Sequence, residues 1–230
     1  MNGKGWRLSF SVMVIILLIA LVMRWMGTSD SLLTTEIKEE AEPVATDVRA
    51  YLPPLQGMTY SYSGDGMEYA AFTRQIAFAS QDFLQMEDRS GTNLAQVVQY
   101  SADELRIIWS EEEFYAKESL LDSEYREGRG RGSTRNLILL KAPVADGNSW
   151  TDEGFQREIV ATNATVTIPL GTFYEVVAVK STREGDDSVT YEYYAKNIGL
   201  IKREYLYLLD GETYAVVSTL SSLACPSPQF

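Results

Sequence analysis

Short segments rich in valine, isoleucine, threonine, tyrosine and phenylalanine alternate with turn signals over residues 51–224, and this rhythm limits the fold more than any other feature. β-Branched and aromatic residues favour strands. The segments recur at intervals of about 8–15 residues, a spacing typical of antiparallel barrels and sandwiches. The turn signals lie at residues 64–66, 90–93, 146–148, 184–187 and 210–211. The sequence therefore predicts a mainly β domain of about a dozen strands.

Alternation within the segments supports this interpretation. Apolar and polar side chains alternate in several of them, for example from Leu105 to Trp109, as expected of a strand with one buried face. The pair Asp210 and Gly211 joins two β-prone segments, which is the signature of a type I′ hairpin. We therefore expect an antiparallel curved sheet, a half-barrel or barrel-like structure, over residues 51–224. A sandwich is the alternative that the pattern leaves open.

The N-terminal segment carries no charge from Leu8 to Met23. Three further residues extend it to nineteen, or about 28 Å of helix, close to the thickness of a hydrocarbon core of about 30 Å. Arg24 lies near the end of the segment, where its stem can reach the head groups, and Trp25 suits the membrane interface. The sequence predicts one transmembrane helix, with residues 1–26 forming a cytoplasmic stub and signal-anchor.

A cleaved secretory signal is the alternative for this segment. Its cleavage site is poor because large residues follow the apolar run, although Gly27 and Ser29 form a weak pair of small residues. Lys4 and Arg7 precede the span, so the positive-inside rule predicts a cytoplasmic N-terminus and an exported body. We expect a single-pass cell-membrane protein with an extracytoplasmic body, or a secreted protein if the signal is cleaved.

Charge divides the chain in the same place. The whole sequence has 20 Lys and Arg against 32 Asp and Glu, a net charge of −12. Residues 1–26 hold three of the basic residues and no acidic one, so residues 27–230 have 17 basic against 32 acidic residues, a net −15. We divide this body into an acidic linker at 27–50, the β-domain at 51–224 and a tail at 225–230. No nucleic-acid partner is expected, since such surfaces need concentrated positive charge.

The residue types present exclude much of catalytic chemistry. The chain has no histidine, so it cannot form a Ser-His-Asp or Cys-His nucleophile system or a histidine-ligated metal site. Its one cysteine, Cys225, allows no intrachain disulfide. The densest carboxylates, at residues 111–113 and 186–187, lie at predicted turns where solvent keeps their pKa values ordinary. We expect no enzymatic activity, no cofactor and no metal, with a carboxylate-based hydrolase as the disfavoured alternative.

Two clusters are candidate binding sites. A glycine-rich basic segment at residues 126–135 can contact an anion through its guanidinium groups, or it is a charged, flexible loop. Tyrosines in the last third of the chain can line a groove for an apolar or lipid ligand, although tyrosine is also common in strands. The candidate anion contacts are Arg126, Arg129, Arg131 and Arg135, and the candidate groove residues are Tyr191, Tyr193, Tyr205 and Tyr207.

Several motifs together resemble one group of bacterial proteins. The sequence reads YLPPLQGMTY at 51–60, LLKAP at 139–143, GNSW at 147–150, IPLGTF at 168–173 and YEYYAKNIGLIK at 191–202. These resemble motifs of bacterial envelope proteins and lipoproteins of the DUF3108 or TapB-like kind, over roughly residues 51–210. The resemblance implies an exported, curved antiparallel sheet that can enclose an apolar groove, and it implies no agreed activity. This chain departs from the group in having a helical anchor instead of a lipidated cysteine.

The sequence thus predicts a membrane-anchored, extracytoplasmic, β-rich binding or structural module of the cell envelope. One alternative is a carrier that holds an apolar or lipid ligand in the groove of the sheet. Another is a structural tether whose sheet edge pairs with a partner strand. The expected partners are the membrane, through the N-terminal helix, and either another envelope protein or an apolar ligand.

Overall fold

The computed structural model describes residues 47–226. The predicted anchor, with Leu8, Met23, Arg24 and Trp25, lies outside the described residues. Within 47–226 the helices are too short or too polar to cross a bilayer.

Twelve antiparallel strands form one sheet within the described residues. The strands are β1 (Thr59–Asp65), β2 (Phe72–Ala79), β3 (Phe83–Arg89), β4 (Asn93–Tyr100), β5 (Glu104–Glu112), β6 (Ser133–Lys141), β7 (Ser149–Asp152), β8 (Phe155–Ile168), β9 (Gly171–Arg183), β10 (Val189–Ala195), β11 (Gly199–Leu209) and β12 (Glu212–Ala224). Two 3₁₀ segments, Val48–Tyr51 and Glu68–Ala70, and one short helix, α1 (Ser123–Arg129), complete the described elements.

The strand order makes a nearly closed barrel. From edge to edge it is β6-β5-β4-β3-β2-β1-β12-β11-β10-β9-β8-β7, so strands adjacent in sequence also pair in the sheet, and β1 pairs with β12. Only the two edge strands, β6 and β7, meet without a main-chain ladder. The prediction of a mainly β, barrel-like antiparallel sheet is confirmed.

The hairpin between β11 and β12 shows how local sequence sets this register. Asp210 and Gly211 have φ angles of 54° and 82°, and Leu209 pairs directly with Glu212. Positive φ at both central residues defines a type I′ turn, whose twist matches that of the flanking strands. The predicted turn is confirmed.

One end of the barrel is closed by residues 47–52, which we call the plug. Val48 is fully buried, and its N–H donates to the carbonyl of Ala102 at 3.1 Å. The carbonyl of Ala50 accepts from the N–H of Asn197 at 2.6 Å. The plug is therefore bonded to two of the loops at this end, β4–β5 and β10–β11.

A second, smaller core lies on the outer face of β4 and β5. It contains Ala95, Val97, Trp109, Phe114 and Leu120, and the segment 113–130 covers it. Within this segment only α1 is helical, and it begins at Ser123. The interpretation of residues 126–135 as a loop is wrong in part, since α1 extends to Arg129 and β6 begins at Ser133.

Candidate functional site

A cavity of about 440 Å³ lies inside the barrel. Side chains from every strand except β1 and β7 line it, together with Leu52 of the plug and the β1–β2 loop. Because successive side chains on a strand face opposite sides of a sheet, each strand contributes only its inward-facing positions. The cavity is thus a product of the closed topology, and its walls come from both halves of the chain.

The end of the barrel opposite the plug is lined by half-exposed apolar side chains. Met67 and Tyr69 belong to the β1–β2 loop and are 50% and 55% exposed, and Tyr205 on β11 is 39% exposed. All three line the cavity. We call these residues the mouth, since they line the opening of the cavity to solvent.

The end of the cavity nearest the plug is apolar. Leu52, Met86, Leu105 and Leu200 line it, and each is buried. Leu105 and Leu200 lie near the starts of β5 and β11, at the plug end of the barrel. We call these four residues the floor.

Between floor and mouth the cavity is lined by five charged side chains, which we call the polar belt: Arg74, Asp88, Arg157, Glu192 and Arg203. Arg74 and Asp88 are paired residues of β2 and β3, and they form two hydrogen bonds of 2.7 Å. Burial lowers the pKa of Arg74, but the charge and hydrogen bonds of Asp88 outweigh it and raise the pKa overall. This bidentate pair holds a guanidinium and a carboxylate side by side inside the barrel.

The second pair of the belt joins β8 to β10. Nη1 of Arg157 donates to Oε2 of Glu192 at 3.3 Å, and the hydroxyl of Tyr194 donates to the same oxygen at 3.1 Å. Burial raises the pKa of Tyr194, and the charge of Glu192 raises it further, while Arg157 and Arg74 oppose the rise. Tyr194 is therefore a neutral donor, and Glu192 is tied to a guanidinium.

Two buried polar groups in the cavity wall have no hydrogen-bond partner among the described residues. They are Nε of Arg157 and Oγ of Ser181, on side chains of residues that are 7% and 5% exposed. Oδ1 of Asp152 is 3.9 Å from Nε of Arg157, which is too long for a hydrogen bond. A buried unpaired donor costs about 1–3 kcal/mol.

Arg203, the fifth residue of the belt, forms no ion pair with any residue in 47–226. It lies directly opposite Glu192 in the β10–β11 register, and its guanidinium carbon is 5.3 Å from the centroid of the Phe72 ring. The belt therefore contains three guanidinium groups against two carboxylates. Asp152, outside the cavity wall, lies 3.9 Å from Arg157, so the guanidinium in the belt without a carboxylate within ion-pair distance is that of Arg203.

Side chains close the barrel where β6 meets β7. The N–H of Ile138 donates to Oδ2 of Asp152 at 2.8 Å, and its carbonyl accepts from Nε1 of Trp150 at 3.2 Å. Burial raises the pKa of Asp152, although the bond from Ile138 and the charge of Arg157 oppose the rise. These contacts satisfy main-chain groups of β6 that an open edge would offer to another strand.

The four tyrosines predicted to form a groove lie on two faces of the sheet. Tyr205 lines the cavity, and Tyr207 stacks on it with ring centroids 5.6 Å apart. Tyr191 and Tyr193 alternate with Glu192, which faces the cavity, and the hydroxyl of Tyr193 donates to Glu204 at 2.8 Å. The structure thus places Tyr205 in the cavity wall with Tyr207 stacked on it, and it places the other two apart from the cavity.

The four arginines predicted to contact an anion are mostly engaged within the chain. Arg126 is buried and donates to the carbonyls of Leu120 and Leu121, at 2.6 and 2.8 Å. The other three differ in their surroundings: Arg129 pairs with Glu111 at 2.9 Å, Arg135 pairs with Glu153 at 2.5 Å, and Arg131 is exposed. These guanidinium groups are dispersed over α1, β6 and the turn between them.

The carboxylate runs also separate. The placement of Glu111 at a solvated turn is wrong, because β5 continues through Glu112 and the side chain of Glu111 is 1% exposed. Asp186 and Asp187 lie in the exposed turn between β9 and β10. Asp186 accepts from the N–H of Ser188, and this bond lowers its pKa. Cys225 is exposed after the last strand.

Sequence reasoning missed the polar belt. Its signal is a charged residue at an inward position of a strand: Arg157 shares a face with Ile159, which is fully buried, and Glu192 shares one with Tyr194. Such a residue interrupts the apolar face of an alternating segment. The partners lie on distant strands, so the spacing in the sequence alone does not pair them.

Comparisons with known proteins give weak likenesses only. No protein-family model and no curated protein matches the chain. Among solved structures, one similar chain is a Bacteroides fragilis protein that is assigned as exported and has a YmcC-like fold. The two chains are 15% identical, the match covers 74% of this chain and 96% of that one, and the TM-score is 0.43. Another, assigned as a lipoprotein of Parabacteroides distasonis, is 13% identical, with 76% and 98% covered and a TM-score of 0.40. Neither likeness assigns this chain a role, and the resemblance to the DUF3108 or TapB-like group stays a prediction.

Proposed function

We propose that this chain is a membrane-anchored, extracytoplasmic, non-enzymatic binding module of the cell envelope that holds one apolar chain inside its barrel. The observation that carries the proposal is the cavity of about 440 Å³, with an apolar floor and a half-exposed mouth. Ligand sites typically measure about 300–1,000 Å³ and combine apolar walls with a few polar groups. This cavity has both properties.

Packing supports binding over a purely structural role. Protein interiors are close-packed, and voids larger than a water molecule are few. A cavity of this size leaves its wall with fewer neighbours than a close-packed interior would provide, which forfeits dispersion contacts. An apolar chain lying against the floor would restore them.

The location in the envelope is supported by the sequence. The uncharged segment from Leu8 to Met23 has the length and flanks of a signal-anchor, and the net −15 of residues 27–230 suits a body repelled by anionic head groups. The mouth would then receive its ligand from the extracytoplasmic side.

The absence of enzymatic activity is supported by the state of the carboxylates in the cavity wall. Asp88 and Glu192 each accept a hydrogen bond from an arginine, so both carboxylates are engaged within the chain. Ser181 has no base beside it among the described residues, so its hydroxyl is not activated as a nucleophile.

Binding of a neutral chain tests the proposal. Native mass spectrometry of the detergent-solubilised full-length protein, with detergent removed in the gas phase, would count bound hexadecanol molecules. We expect one per chain. Val216→Trp places a large side chain in the cavity and should abolish binding, whereas Val217→Trp, on the next residue of β12 and outside the cavity wall, should preserve it. Absence of binding to the native protein, or equal binding by both variants, would refute the proposal.

A further inference from the structure

We infer that the ligand is an amphiphile with one chain and an anionic head group, a carboxylate or a phosphate, held by Arg203, Arg157 and Ser181. This inference rests on the proposed function and adds the chemistry of the head group and its position. The chain would lie on the floor, and the head group would lie at the polar belt below the mouth.

The charge balance of the belt is the first argument. Arg74 and Arg157 each face a carboxylate, whereas Arg203 has none within ion-pair distance in residues 47–226. Arg203 is half-buried and lines the cavity, so an anion inside the cavity would meet a guanidinium that is not already paired. The cavity therefore contains one guanidinium whose natural complement is a negative charge from outside the chain.

Unpaired polar atoms give the second argument, which is independent of charge. Nε of Arg157 and Oγ of Ser181 belong to residues more than nine-tenths buried, and both residues line the cavity. Arg157 and Ser181 are directly opposite each other in the β8–β9 register, so the two groups lie on one stretch of wall. A head group with several acceptor oxygens can bond both.

The strand register brings these groups close to Arg203. Ser181 pairs with Thr190 on β10, and Thr190 pairs with Tyr205, two residues from Arg203 on the same face of β11. Glu192 lies between Arg157 and Arg203 and would repel an anion, but Arg157 and Tyr194 each donate a hydrogen bond to it. Nε of Arg157 also faces Asp152, at 3.9 Å, so Arg203 supplies the net attraction and Arg157 contributes an unused hydrogen-bond donor.

The volume of the cavity and the polarity of its walls indicate a ligand with a single apolar chain. At about 440 Å³ it lies in the lower half of the usual range for ligand sites. Polarity rises from the floor, with Leu52 and Leu200, to the charged belt, and beyond the belt the half-exposed Tyr69 and Tyr205 line the mouth. An amphiphile entering chain first would match this gradient.

Three probes of equal chain length test the inference by native mass spectrometry of the full-length protein: hexadecanoate, hexadecyl phosphate and hexadecanol. We expect at least one anion to bind about tenfold or more tightly than the alcohol, and the preferred anion identifies the head group. Equal binding of all three would overturn the inference and leave the proposed function standing. Failure of all three to bind would overturn the proposed function itself.

Three variants test whether the preference for the anion comes from Arg203. Arg203→Gln should remove most of the preference for the anion while hexadecanol still binds, which also shows that the variant is folded. Arg203→Lys, which keeps the charge, should retain part of the preference. Arg131→Gln removes the same charge from an exposed position outside the cavity and should change nothing. If Arg203→Gln keeps the full preference, the assignment of the head group to the belt is wrong.

Discussion

Removing one partner of the Arg157–Glu192 pair should destabilise the barrel far more than removing one partner of a surface pair. The side chains of Arg157 and Glu192 are 8% and 12% exposed and 3.3 Å apart. In Arg157→Met the carboxylate of Glu192 is left buried without its cation. In Glu192→Gln the amide still accepts from the hydroxyl of Tyr194, so mainly the negative charge is lost.

The expected magnitude follows from this geometry. At 3.3 Å and an effective dielectric constant of about 20, two unit charges attract by about 5 kcal/mol, which desolvation largely offsets. Breaking a buried pair from one side typically costs about 3–5 kcal/mol. We expect Arg157→Met to cost about 3 kcal/mol, at the lower end of this range. Burial already raises the pKa of Asp152, which lies 3.9 Å from Arg157, and protonation of Asp152 would remove one of the two carboxylate charges left without a cation. The melting temperature should fall by roughly 6–12 °C.

A double-mutant cycle measured by chemical unfolding of the solubilised full-length chain tests this. The double variant should cost less than the sum of the single variants, with a coupling energy of about 1–3 kcal/mol. Arg106→Met is the matched control: Arg106 pairs with Glu104, but the two side chains are 23% and 25% exposed, so its cost should stay below about 1 kcal/mol. Equal costs for Arg157→Met and Arg106→Met, or no coupling within the cycle, would refute the reasoning.

Two further predictions concern the closure between β6 and β7. Trp150→Phe removes the hydrogen bond to the carbonyl of Ile138 and should lower the free energy of unfolding by about 0.5–1.5 kcal/mol. Trp109→Phe is the control and should cost less, because the indole N–H of Trp109 has no partner among the described residues. The reverse order of the two costs would contradict this account. The hydrogen bond from Arg135 lowers the pKa of Glu153, so this pair contributes stability above the ordinary pKa of 4.5 and loses it as the pH falls through the lowered value. Arg135→Gln should therefore destabilise the protein more at pH 7 than at pH 3 by urea unfolding; an equal effect at both pH values would contradict this origin.

Much of the fold could be predicted because its determinants are local. The alternation from Leu105 to Trp109 and the Asp210-Gly211 turn each specify structure within a few residues, and the strand and the turn are confirmed. The predicted single buried face is wrong at Trp109, because a shift of register moves this side chain to the outer core. The predicted curved sheet is confirmed as a nearly closed barrel. Closure itself depends on contacts such as Trp150 with Ile138, which join the two edges through side chains.

The candidate site was predicted only in part because its groups converge from distant strands. Tyr205 was recognised as a groove residue and lines the cavity. Arg74, Arg157 and Arg203 come from β2, β8 and β11, and only the sheet order brings them to one cavity. The basic cluster at residues 126–135 was conspicuous in the sequence, yet Arg129 and Arg135 pair with acids of neighbouring elements. Local density of charge was therefore a poor guide to where unpaired charge lies.

The most direct test of the central claim, that one anionic chain lies in the barrel with its tail on the floor, is a photocrosslinking map. Hexadecanoate with a diazirine near the end of its chain would be added to the full-length protein, irradiated, and mapped by peptide mass spectrometry. The account predicts saturable labelling at Met86, Leu105 or Leu200, lost in Val216→Trp and kept in Val217→Trp. Labelling confined to the segment from Leu8 to Met23 or to the outer face of the sheet would contradict it.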